Sequence, residues 1–268
     1  MAECSHNCEN CSVEGCGERI QKSKQNELSN IKRIIGVLSG KGGVGKSFVT
    51  SSIAAYLNRN GLKVGILDAD ITGPSIPKAF GVKGTVYGED NIIYPLKSKT
   101  GIDIMSANLL IENPEDPIIW RGPMLANLVK QFYENVLWED LDYLLIDMPP
   151  GTGDVALTVF QSIHIDDLII VTAPQDLVSL IVAKAIKMAE AMNIHVLGVI
   201  ENMSYLKCPK CDEKIPLFGE SHLEEYAKKL NFDILARLPL NSENTKKMDD
   251  GKIEEVEIEE IKDAVSRL

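Results

Sequence analysis

GKGGVGKS, residues 40–47, is the stretch that decides the fold of this chain. It follows the apolar run at residues 34–38 and precedes a segment with the pattern of a helix. A glycine-rich loop in this position binds phosphate, because its backbone N–H groups and the helix N-terminus converge on the phosphate oxygens. The pattern places eight residues at a nucleotide: Gly40, Lys41, Gly42, Gly43, Val44, Gly45, Lys46 and Ser47.

Three polar side chains of this loop have expected roles in nucleotide chemistry. Lys46 is expected to contact the β- and γ-phosphates, and the hydroxyl of Ser47 to bind Mg²⁺. The alternative interpretation, a glycine-rich turn before a helix, does not explain the second lysine, Lys41. We therefore predict an ATP site at which both lysines act in catalysis.

The composition restricts the class of protein. The chain has 268 residues, 44% of them hydrophobic, which is enough for one large α/β domain or two small ones. The net charge of −11 argues against a nucleic-acid partner, because nucleic-acid binding is driven by clustered Lys and Arg. No apolar run reaches the ~18 residues of a membrane span, so we expect no membrane partner. The N-terminus lacks the pattern of a signal peptide, and we expect a cytoplasmic protein.

Strand and helix patterns alternate from residue 31 onward. Apolar segments predict strands at residues 33–38, 63–67, 143–146, 168–172, 195–200 and 234–236. Helical patterns lie at residues 46–60, 124–136, 154–162, 177–192 and 222–230. Strands that are apolar on both faces and separated by helices predict an α/β fold with a doubly wound, mostly parallel sheet.

The chain divides into a tail and one domain. Residues 1–30 are polar and rich in cysteine, and they predict an extension that orders only around a metal, if at all. Residues 31–268 predict one P-loop ATPase domain with a cysteine-bearing loop at 203–216. Residues 84–105 could insert a hairpin. Residues 253–268 predict a C-terminal helix that docks on the domain, because an acidic outer face does not suit a membrane surface.

The second predicted strand ends in two carboxylates, Asp68 and Asp70. Carboxylates at the carboxyl ends of parallel strands project over the ligand-binding edge of the sheet. Asp70 is expected to orient the attacking water, and Asp68 to hold the Mg²⁺ shell from nearby, because phosphoryl transfer requires mainly positioning and charge stabilisation. The alternative interpretation is that both acids end a strand in solvent.

The third predicted strand ends in Asp147 and continues as MPPGTGD, the pattern of a Walker B strand followed by a switch loop. Asp147 is expected to bind Mg²⁺ through water. The N–H of Gly151 is expected to sense the γ-phosphate, because a residue without a side chain permits that close approach. Asn202 follows the strand at 195–200 and could hydrogen-bond the adenine edge, as could the backbone at 238–240. A turn or capping role for Asn202 stays open.

The six cysteines fall into two groups: Cys4, Cys8, Cys11 and Cys16 near the N-terminus, and Cys208 with Cys211 as a CxxC pair. The cytosol keeps thiols reduced, so structural disulfides are not expected. Clustered thiols outside the predicted core elements favour ligation of a metal ion or an iron–sulfur cluster.

On these motifs the chain resembles the Mrp/Nbp35 (ApbC-type) family of iron–sulfur cluster carrier ATPases. The resemblance rests on GKGGVGKS at 40–47, DADITGPSIP at 68–77, WRGPM at 120–124, DYLLIDMPPGTGD at 142–154, TAPQDLVS at 172–179 and GVIENMSYLKCPKC at 198–211. It implies a nucleotide-binding fold of the SIMIBI, MinD-like type, a homodimer, slow ATP hydrolysis, and transfer of a cluster to apo iron–sulfur proteins.

The resemblance also implies roles for three residues. Cys208 and Cys211 of two subunits would together hold one [4Fe–4S] cluster at the dimer interface. Such a cluster usually takes four thiolates and one CxxC supplies two, so the residue count agrees with a shared cluster. Lys41 marks the deviant phosphate loop of dimeric ATPases related to MinD, ParA and the nitrogenase iron protein, in which it reaches the partner's nucleotide.

The chain departs from the family pattern at two places. Phe48 stands where the family loop usually has threonine, which normally contacts the α-phosphate, so nucleotide affinity or hydrolysis could be reduced. Eukaryotic relatives carry four N-terminal cysteines with a longer first gap. The N-terminal cysteines of this chain favour a second iron–sulfur cluster or Zn²⁺, and redox-active or unligated thiols are the alternative.

Three other functions are compatible with the motifs. The first is a MinD- or ParA-like regulatory ATPase in which Cys208 and Cys211 form a structural zinc knuckle, because thiolates bind zinc and iron–sulfur clusters alike. The second is an electron-transfer ATPase like the nitrogenase iron protein, whose cluster cysteines lie elsewhere in the fold. The third is a nucleotide-binding module without turnover, which Phe48 would explain.

Overall fold

A single strand, β1 (Asn30–Ser39), shows how the sequence builds a sheet with two buried faces. Ile34 and Leu38 of this strand pack into one hydrophobic core, and Ile35 and Val37 pack into the other. Successive side chains of a strand point to opposite faces, so a strand that is apolar at every position must be covered on both sides. The computed structural model describes residues 22–71, 73, 75–111, 122–174, 178–219 and 221–268.

In the described part of the chain the main sheet has nine strands, and a short hairpin lies beside it. The strands are β1 (Asn30–Ser39), β2 (Val64–Asp68), β3 (Tyr87–Glu89), β4 (Ile92–Tyr94), β5 (Leu96–Lys97), β6 (Asp103–Ser106), β7 (Asp140–Asp147), β8 (Asp167–Thr172), β9 (His195–Lys207), β10 (Lys214–Ile215) and β11 (Ile234–Pro239). The main sheet has the order β10-β9-β8-β1-β7-β2-β6-β5, and β11 also pairs with β9. Only β5 and β10 pair antiparallel in the part of this sheet that the structure describes.

Helices cover both faces of the sheet. They are α1 (Lys46–Arg59), α2 (Ile76–Ala79), α3 (Gly122–Asn135), α4 (Asp154–Ser162), α5 (Val178–Ala191), α6 (Leu223–Leu230), α7 (Ser242–Asp249) and α8 (Ile261–Val265). Residues of α3, α4 and α5 join one core, and residues of α1 and the C-terminal segment join the other. The predicted doubly wound, mostly parallel α/β sheet is therefore confirmed. Within the described residues, no helix is long and apolar enough to cross a membrane.

The C-terminal segment does not form the single helix predicted over residues 253–268. It has a 3-10 turn at Ile253–Glu255 and the short helix α8, and Val256 between them is extended. The buried residues Ile253, Val256, Ile258 and Ile261 recur at intervals of two and three, which a continuous helix cannot place on one face. The segment nevertheless packs into the core around α1.

Two other elements differ from the sequence-based expectation. The inserted hairpin consists of β3 and β4, whereas β6, at the end of the predicted range 84–105, belongs to the main sheet and pairs parallel with β2. Strand β9 continues to Lys207, well beyond the predicted end at residue 200. The N-terminal residues Cys4, Cys8, Cys11 and Cys16 lie outside the described residues.

Candidate nucleotide and cysteine sites

The glycine-rich loop connects the end of β1 to the start of α1, at the carboxyl edge of the sheet. Gly45 caps α1 with a φ of 80°, in the left-handed region that favours glycine. A Cβ on Gly45 would lie 2.2 Å from the side-chain nitrogen of Asn202, so this position also lacks space for a side chain. Gly42, Gly43, Gly45, Lys46 and Ser47 line a cavity of about 360 Å³. Cavities of this size hold small-molecule ligands.

Charged side chains converge at the inner end of this cavity. Lys46 Nζ lies 2.8 Å from Asp147 Oδ2 and 3.5 Å from Asp70 Oδ2. Ser47 Oγ donates a hydrogen bond of 2.6 Å to the same oxygen of Asp147, and Thr50 Oγ1 lies 2.7 Å from the other oxygen. The structure thus brings together Lys46, Ser47, Asp70 and Asp147, which the sequence placed in one site from three separate motifs.

Asp68 lies deeper than the other carboxylates. It is fully buried, and it accepts hydrogen bonds of 3.1 Å from Ser106 Oγ and 3.2 Å from the backbone N–H of Asp70. Burial raises the pKa of Asp68 well above its ordinary value, and the charge of nearby Asp147 raises it further. The alternative that Asp68 ends a strand in solvent is therefore wrong, and its role near Mg²⁺ stays a prediction.

Gly151 lies beside the end of β1. Its backbone N–H donates a hydrogen bond of 2.7 Å to the carbonyl oxygen of Ser39, and its φ is 85°. The N–H that was expected to sense the γ-phosphate is therefore paired with the residue that precedes the loop. A phosphate oxygen can accept from this N–H only after the bond to Ser39 opens.

Asn202 lies inside β9 rather than after a strand. Its buried amide donates a hydrogen bond of 2.9 Å to the carbonyl oxygen of Val44, so this side chain holds the backbone of the phosphate loop against β9. This contact is neither the adenine contact nor the turn or capping role that the sequence analysis left open for Asn202. Asn202 also lines the cavity, so a contact with the base stays a prediction.

The residues that line the outer part of the cavity were predicted only in part from the sequence. Pro239 and Leu240 belong to the stretch 238–240, whose backbone the sequence predicted as a possible contact of the adenine edge. The cavity is also lined by Asn241, Thr245 and Met248 of the α7 region, which the sequence analysis did not predict. Asn241 accepts hydrogen bonds from the backbone N–H groups of Glu243 and Asn244. An asparagine before a polar helical segment is an N-cap signal, and it could have revealed α7.

The positions of four further residues bear on the predicted site. Thr50 lies one turn of α1 after Ser47, a spacing that places both hydroxyls on one helix face and that could have identified it. Lys41 is half-buried at the start of the loop and lies outside the lining of the cavity. Gly40 lies against α5, where a Cβ would overlap the side chain of Ile181. Phe48 lines the cavity and packs against the α1 side of the core.

Cys208 and Cys211 lie at the tip of a hairpin that extends β9. Lys207 pairs with Lys214 of β10, the N–H of Cys208 donates to the carbonyl of Glu213, and the N–H of Asp212 donates to the carbonyl of Cys208. Both thiols are free, and Cys211 is exposed. Hydrogen bonds from the backbone of Lys210 and Cys211 lower the pKa of Cys208, which favours the thiolate that binds metals. Among the described residues no group of three or more His, Cys, Asp or Glu could hold a metal ion.

The comparison with known families rests on almost the whole described chain. Residues 30–268 match the ParA family model, which is described as NUBPL iron-transfer P-loop NTPase. The chain belongs to this family. The resemblance that its motifs indicated is thereby confirmed, and so is its assignment to the P-loop NTPases.

Relatives of this P-loop NTPase are found in bacteria and archaea. It is 46% identical to the iron-sulfur cluster carrier protein of Clostridium perfringens over 249 residues, which cover 90% of this chain and 87% of the relative. It is 46% identical to the protein of the same name from Methanocaldococcus jannaschii, over 94% of this chain and 90% of the relative.

Solved structures support the same grouping. A nucleotide-binding protein from Archaeoglobus fulgidus in complex with ADP is 44% identical, has a TM-score of 0.76, and aligns over 85% of this chain and 89% of its own. The septum site-determining protein MinD of Pyrococcus horikoshii, complexed with Mg-ADP, is 23% identical over 83% of this chain and 86% of its own, with a TM-score of 0.55. At that identity the likeness shows the fold alone.

Proposed function

We propose that this protein is an iron–sulfur cluster carrier, which binds a [4Fe–4S] cluster between two copies of the chain and transfers it to apo iron–sulfur proteins, with ATP binding and hydrolysis. The observation that carries the proposal is the pair Cys208 and Cys211, two free thiols on a hairpin tip that extends directly from the nucleotide site. The relatives named as iron-sulfur cluster carrier proteins support it.

The thiol count favours a homodimer. A [4Fe–4S] cluster usually takes four thiolates, and the described part of one chain offers two at this place. A two-fold axis through the hairpin tips doubles the ligands. Ile215, Leu217 and Phe218 follow the cysteines and expose large apolar side chains, which we name the hairpin apolar patch. A surface of this kind beside the thiols supports contact with a second copy.

The nucleotide half of the proposal rests on the residues around Lys46. The loop N–H groups and Lys46 would bind the phosphates, Lys41 would reach the nucleotide of the other copy, and Asp70 would orient the attacking water. The donor set fits Mg²⁺, because the hydroxyl of Ser47 and the carboxylate of Asp147 meet within 2.6 Å. Mg²⁺, when bound, would neutralise the charge that develops on the phosphates. In this scheme the buried Asp68 would hold the Mg²⁺ shell from nearby.

The Gly151 contact supports a switch in this site. Its N–H donates to Ser39, one residue before the loop. Transfer of this N–H to a phosphate oxygen would release Gly151 from β1, while Met148 stays bonded to Val37, and would change the position of α4, which begins at Asp154. This movement would change how the two copies of the chain contact each other, so that ATP hydrolysis would be coupled to the dimer interface. Slow turnover suffices, because it need only time a conformational change.

The N-terminal cysteines and the location of the protein complete the proposal. Cys4, Cys8, Cys11 and Cys16 would hold a second cluster or Zn²⁺ apart from the Cys208 site. We place the protein in the cytoplasm, where thiols stay reduced and free to bind iron.

Anaerobic reconstitution with iron and sulfide tests the proposal. We would compare three proteins: the full chain, the double variant Cys208→Ser/Cys211→Ser, and a matched variant with the four N-terminal cysteines changed to serine. The readings are absorption near 400 nm, EPR after reduction, iron and sulfide per chain, and dimer mass.

We expect about two irons per chain in a coloured dimer at the shared site, lost in the double variant and kept in the matched one. Iron that survives in the double variant and disappears in the matched one would assign a second cluster to the N-terminal cysteines. A colourless protein that holds zinc through Cys208 and Cys211 would contradict the carrier function. It would favour a regulatory ATPase with a structural zinc knuckle.

A further inference from the structure

Strand β9 contains a bulge between the nucleotide cavity and the cysteine hairpin. Glu201 of β9 lies opposite Arg237 of β11, and the next aligned pair is Tyr205 with Pro239. Three residues of β9, 202–204, therefore face a single residue of β11. Met203 at the centre of the bulge has a φ of 56°, a left-handed conformation that is unusual for a residue with a long side chain. Such backbone strain persists only where surrounding contacts hold it.

The bulge aims two side chains at the phosphate loop. Asn202 donates to the carbonyl of Val44 and lies against Gly45, and Met203 lines the cavity. A regular strand would point successive side chains to opposite faces, so without the bulge these two neighbours could not both reach the loop. One end of the segment 202–208 is thereby fixed to the nucleotide site.

Tyr205 connects the same segment to the base side of the cavity and to the cysteine hairpin. Its carbonyl accepts a hydrogen bond of 2.7 Å from the N–H of Leu240, which lines the cavity. Its ring lies under Lys214 of the hairpin, with Nζ 4.4 Å from the ring centroid. Its hydroxyl donates to Glu260 of the C-terminal segment, and only about 7% of the residue is exposed. Three elements therefore meet at Tyr205: Leu240 at its backbone carbonyl, and Lys214 and Glu260 at its buried side chain.

A second connection joins the bulge to the far end of the cysteine segment. The carboxylate of Glu201 is buried and accepts hydrogen bonds from Ser204 Oγ, inside the bulge, and from Ser221 Oγ, after the hairpin. Arg237 Nε lies 3.6 Å from the same carboxylate. Both ends of the cysteine-bearing segment are thus attached to the bulge.

We propose that the segment Glu201–Cys208 is a mechanical link through which nucleotide binding changes the geometry of Cys208 and Cys211, with Tyr205 as the positioning residue. The inference rests on the proposed function, because it requires a nucleotide in the cavity. A ligand that displaces the phosphate loop or Leu240 acts on Asn202 or on Tyr205. The bulge then transmits the displacement to the hairpin through Lys214 and Ser221.

Thiol labelling of the full chain, reduced and without iron, tests the link. We would measure the alkylation rates of Cys208 and Cys211 by mass spectrometry of the peptide that contains both. The measurement is made without nucleotide, with Mg·ADP, and with a non-hydrolysable ATP analogue. Calorimetry of the same samples gives the nucleotide affinity. In the unmodified chain we expect nucleotide to change the labelling rate about fivefold or more, the lower range of a typical coupling between two sites.

The variants separate coupling from folding. In Tyr205→Leu we expect nucleotide to change the labelling rate less than about twofold, because the ring under Lys214 is lost. Tyr94→Leu is the matched control, since Tyr94 lies on the β3–β4 hairpin away from the link, and it should keep the full effect. Lys214→Gln removes the cation from an exposed position. It should reduce the nucleotide effect even if Tyr205→Leu does not fold.

Each outcome decides between the link and the proposed function. Calorimetric binding without a change in labelling of the unmodified chain would overturn the link and leave the carrier proposal standing. A full nucleotide effect in both Tyr205→Leu and Lys214→Gln would also overturn it. If the effect of nucleotide on the labelling rate grows with protein concentration, a second copy of the chain covers the thiols. This result would also overturn a link within one chain. Failure to bind nucleotide would overturn both proposals.

Discussion

Lys46 Nζ lies 2.8 Å from Asp147 Oδ2, so the lysine of the phosphate loop is held by the carboxylate at the end of β7. Both side chains are almost fully buried, and Ser47 and Thr50 supply the remaining hydrogen bonds of the carboxylate. A buried ion pair contributes little net stability, but the loss of one partner leaves the other charge uncompensated. The pair therefore holds the Lys46 side chain at the phosphate loop, in the place from which we propose that it binds phosphate.

Asp147→Asn should weaken both the fold and the nucleotide site. We expect the free energy of unfolding to fall by about 3 kcal/mol or more, because the buried Lys46 loses its shortest ion pair and keeps the longer contact of 3.5 Å with Asp70. Asp142→Asn, in the same strand, is the matched control. Asp142 pairs with the exposed Lys32, and surface pairs contribute about 1 kcal/mol or less. Urea unfolding and Mg²⁺-dependent nucleotide binding measure both effects. Equal losses in the two variants would contradict a special role for the buried pair.

Asp68 predicts a pH dependence of stability. Its pKa is raised in the folded protein, so the fold binds a proton that the unfolded chain has released. The associated stability is therefore present below the unfolded pKa of about 3.9 and is lost as pH rises through the folded pKa. Asp68→Asn cannot ionise, and without Mg²⁺ it should gain stability relative to the unmodified chain as pH increases. Urea midpoints at a series of pH values measure the difference, and a difference that shrinks with rising pH would contradict the prediction.

Gly45→Ala should destabilise the loop, whereas Gly42→Ala should not. A Cβ at Gly45 would lie 2.2 Å from Asn202 and would also require a strained left-handed backbone. We expect a loss of about 1–3 kcal/mol in the free energy of unfolding. A Cβ at Gly42 meets nothing within 4 Å, which makes it a control within the same loop. Thermal unfolding without nucleotide measures both, and equal changes would mean that Asn202 does not constrain the loop.

The hairpin apolar patch predicts a specific effect on dimer formation. Phe218→Asp should lower both the dimer fraction and the iron content after reconstitution, because a charge would be desolvated between the two copies. Tyr87→Asp is the matched control, since Tyr87 is an exposed aromatic residue on the separate β3–β4 hairpin. Sedimentation and iron analysis measure both variants. A dimer that forms normally in Phe218→Asp would place the interface elsewhere.

The sequence predicted the inner part of the nucleotide site because each motif there is local. Residues 40–47 and Asp147 each follow an apolar strand, and parallel strands bring their carboxyl ends to one edge of the sheet. The direct pairing of Lys46 with Asp147 could not be predicted, because it depends on how far two side chains reach across neighbouring strands.

The outer part of the site depends on long-range packing, which a local pattern does not encode. The bulge at Met203 interrupts the alternation of β9, so the strand appeared to end at residue 200 and Asn202 appeared to follow it. Helix α7 is mostly polar: Met248 is the one apolar residue in its sequence, and it lines the cavity together with Thr245, so the apolar period of this helix was too weak to detect. In the C-terminal segment the spacing of Ile253, Val256, Ile261, Val265 and Leu268, with glutamates on the other face, suggested an amphipathic helix, but the buried Ile258 breaks that spacing.

Cluster transfer to an apoprotein tests the central claim most directly. Reconstituted protein would be freed of unbound iron and sulfide and mixed with an apo [4Fe–4S] enzyme in the presence of an iron chelator, with recovered enzyme activity as the reading. We predict that activity returns with the chelator present, and that Cys208→Ser/Cys211→Ser protein treated in the same way restores none. Recovery that the chelator abolishes, or that the double variant supports equally well, would contradict the assignment of a cluster carrier.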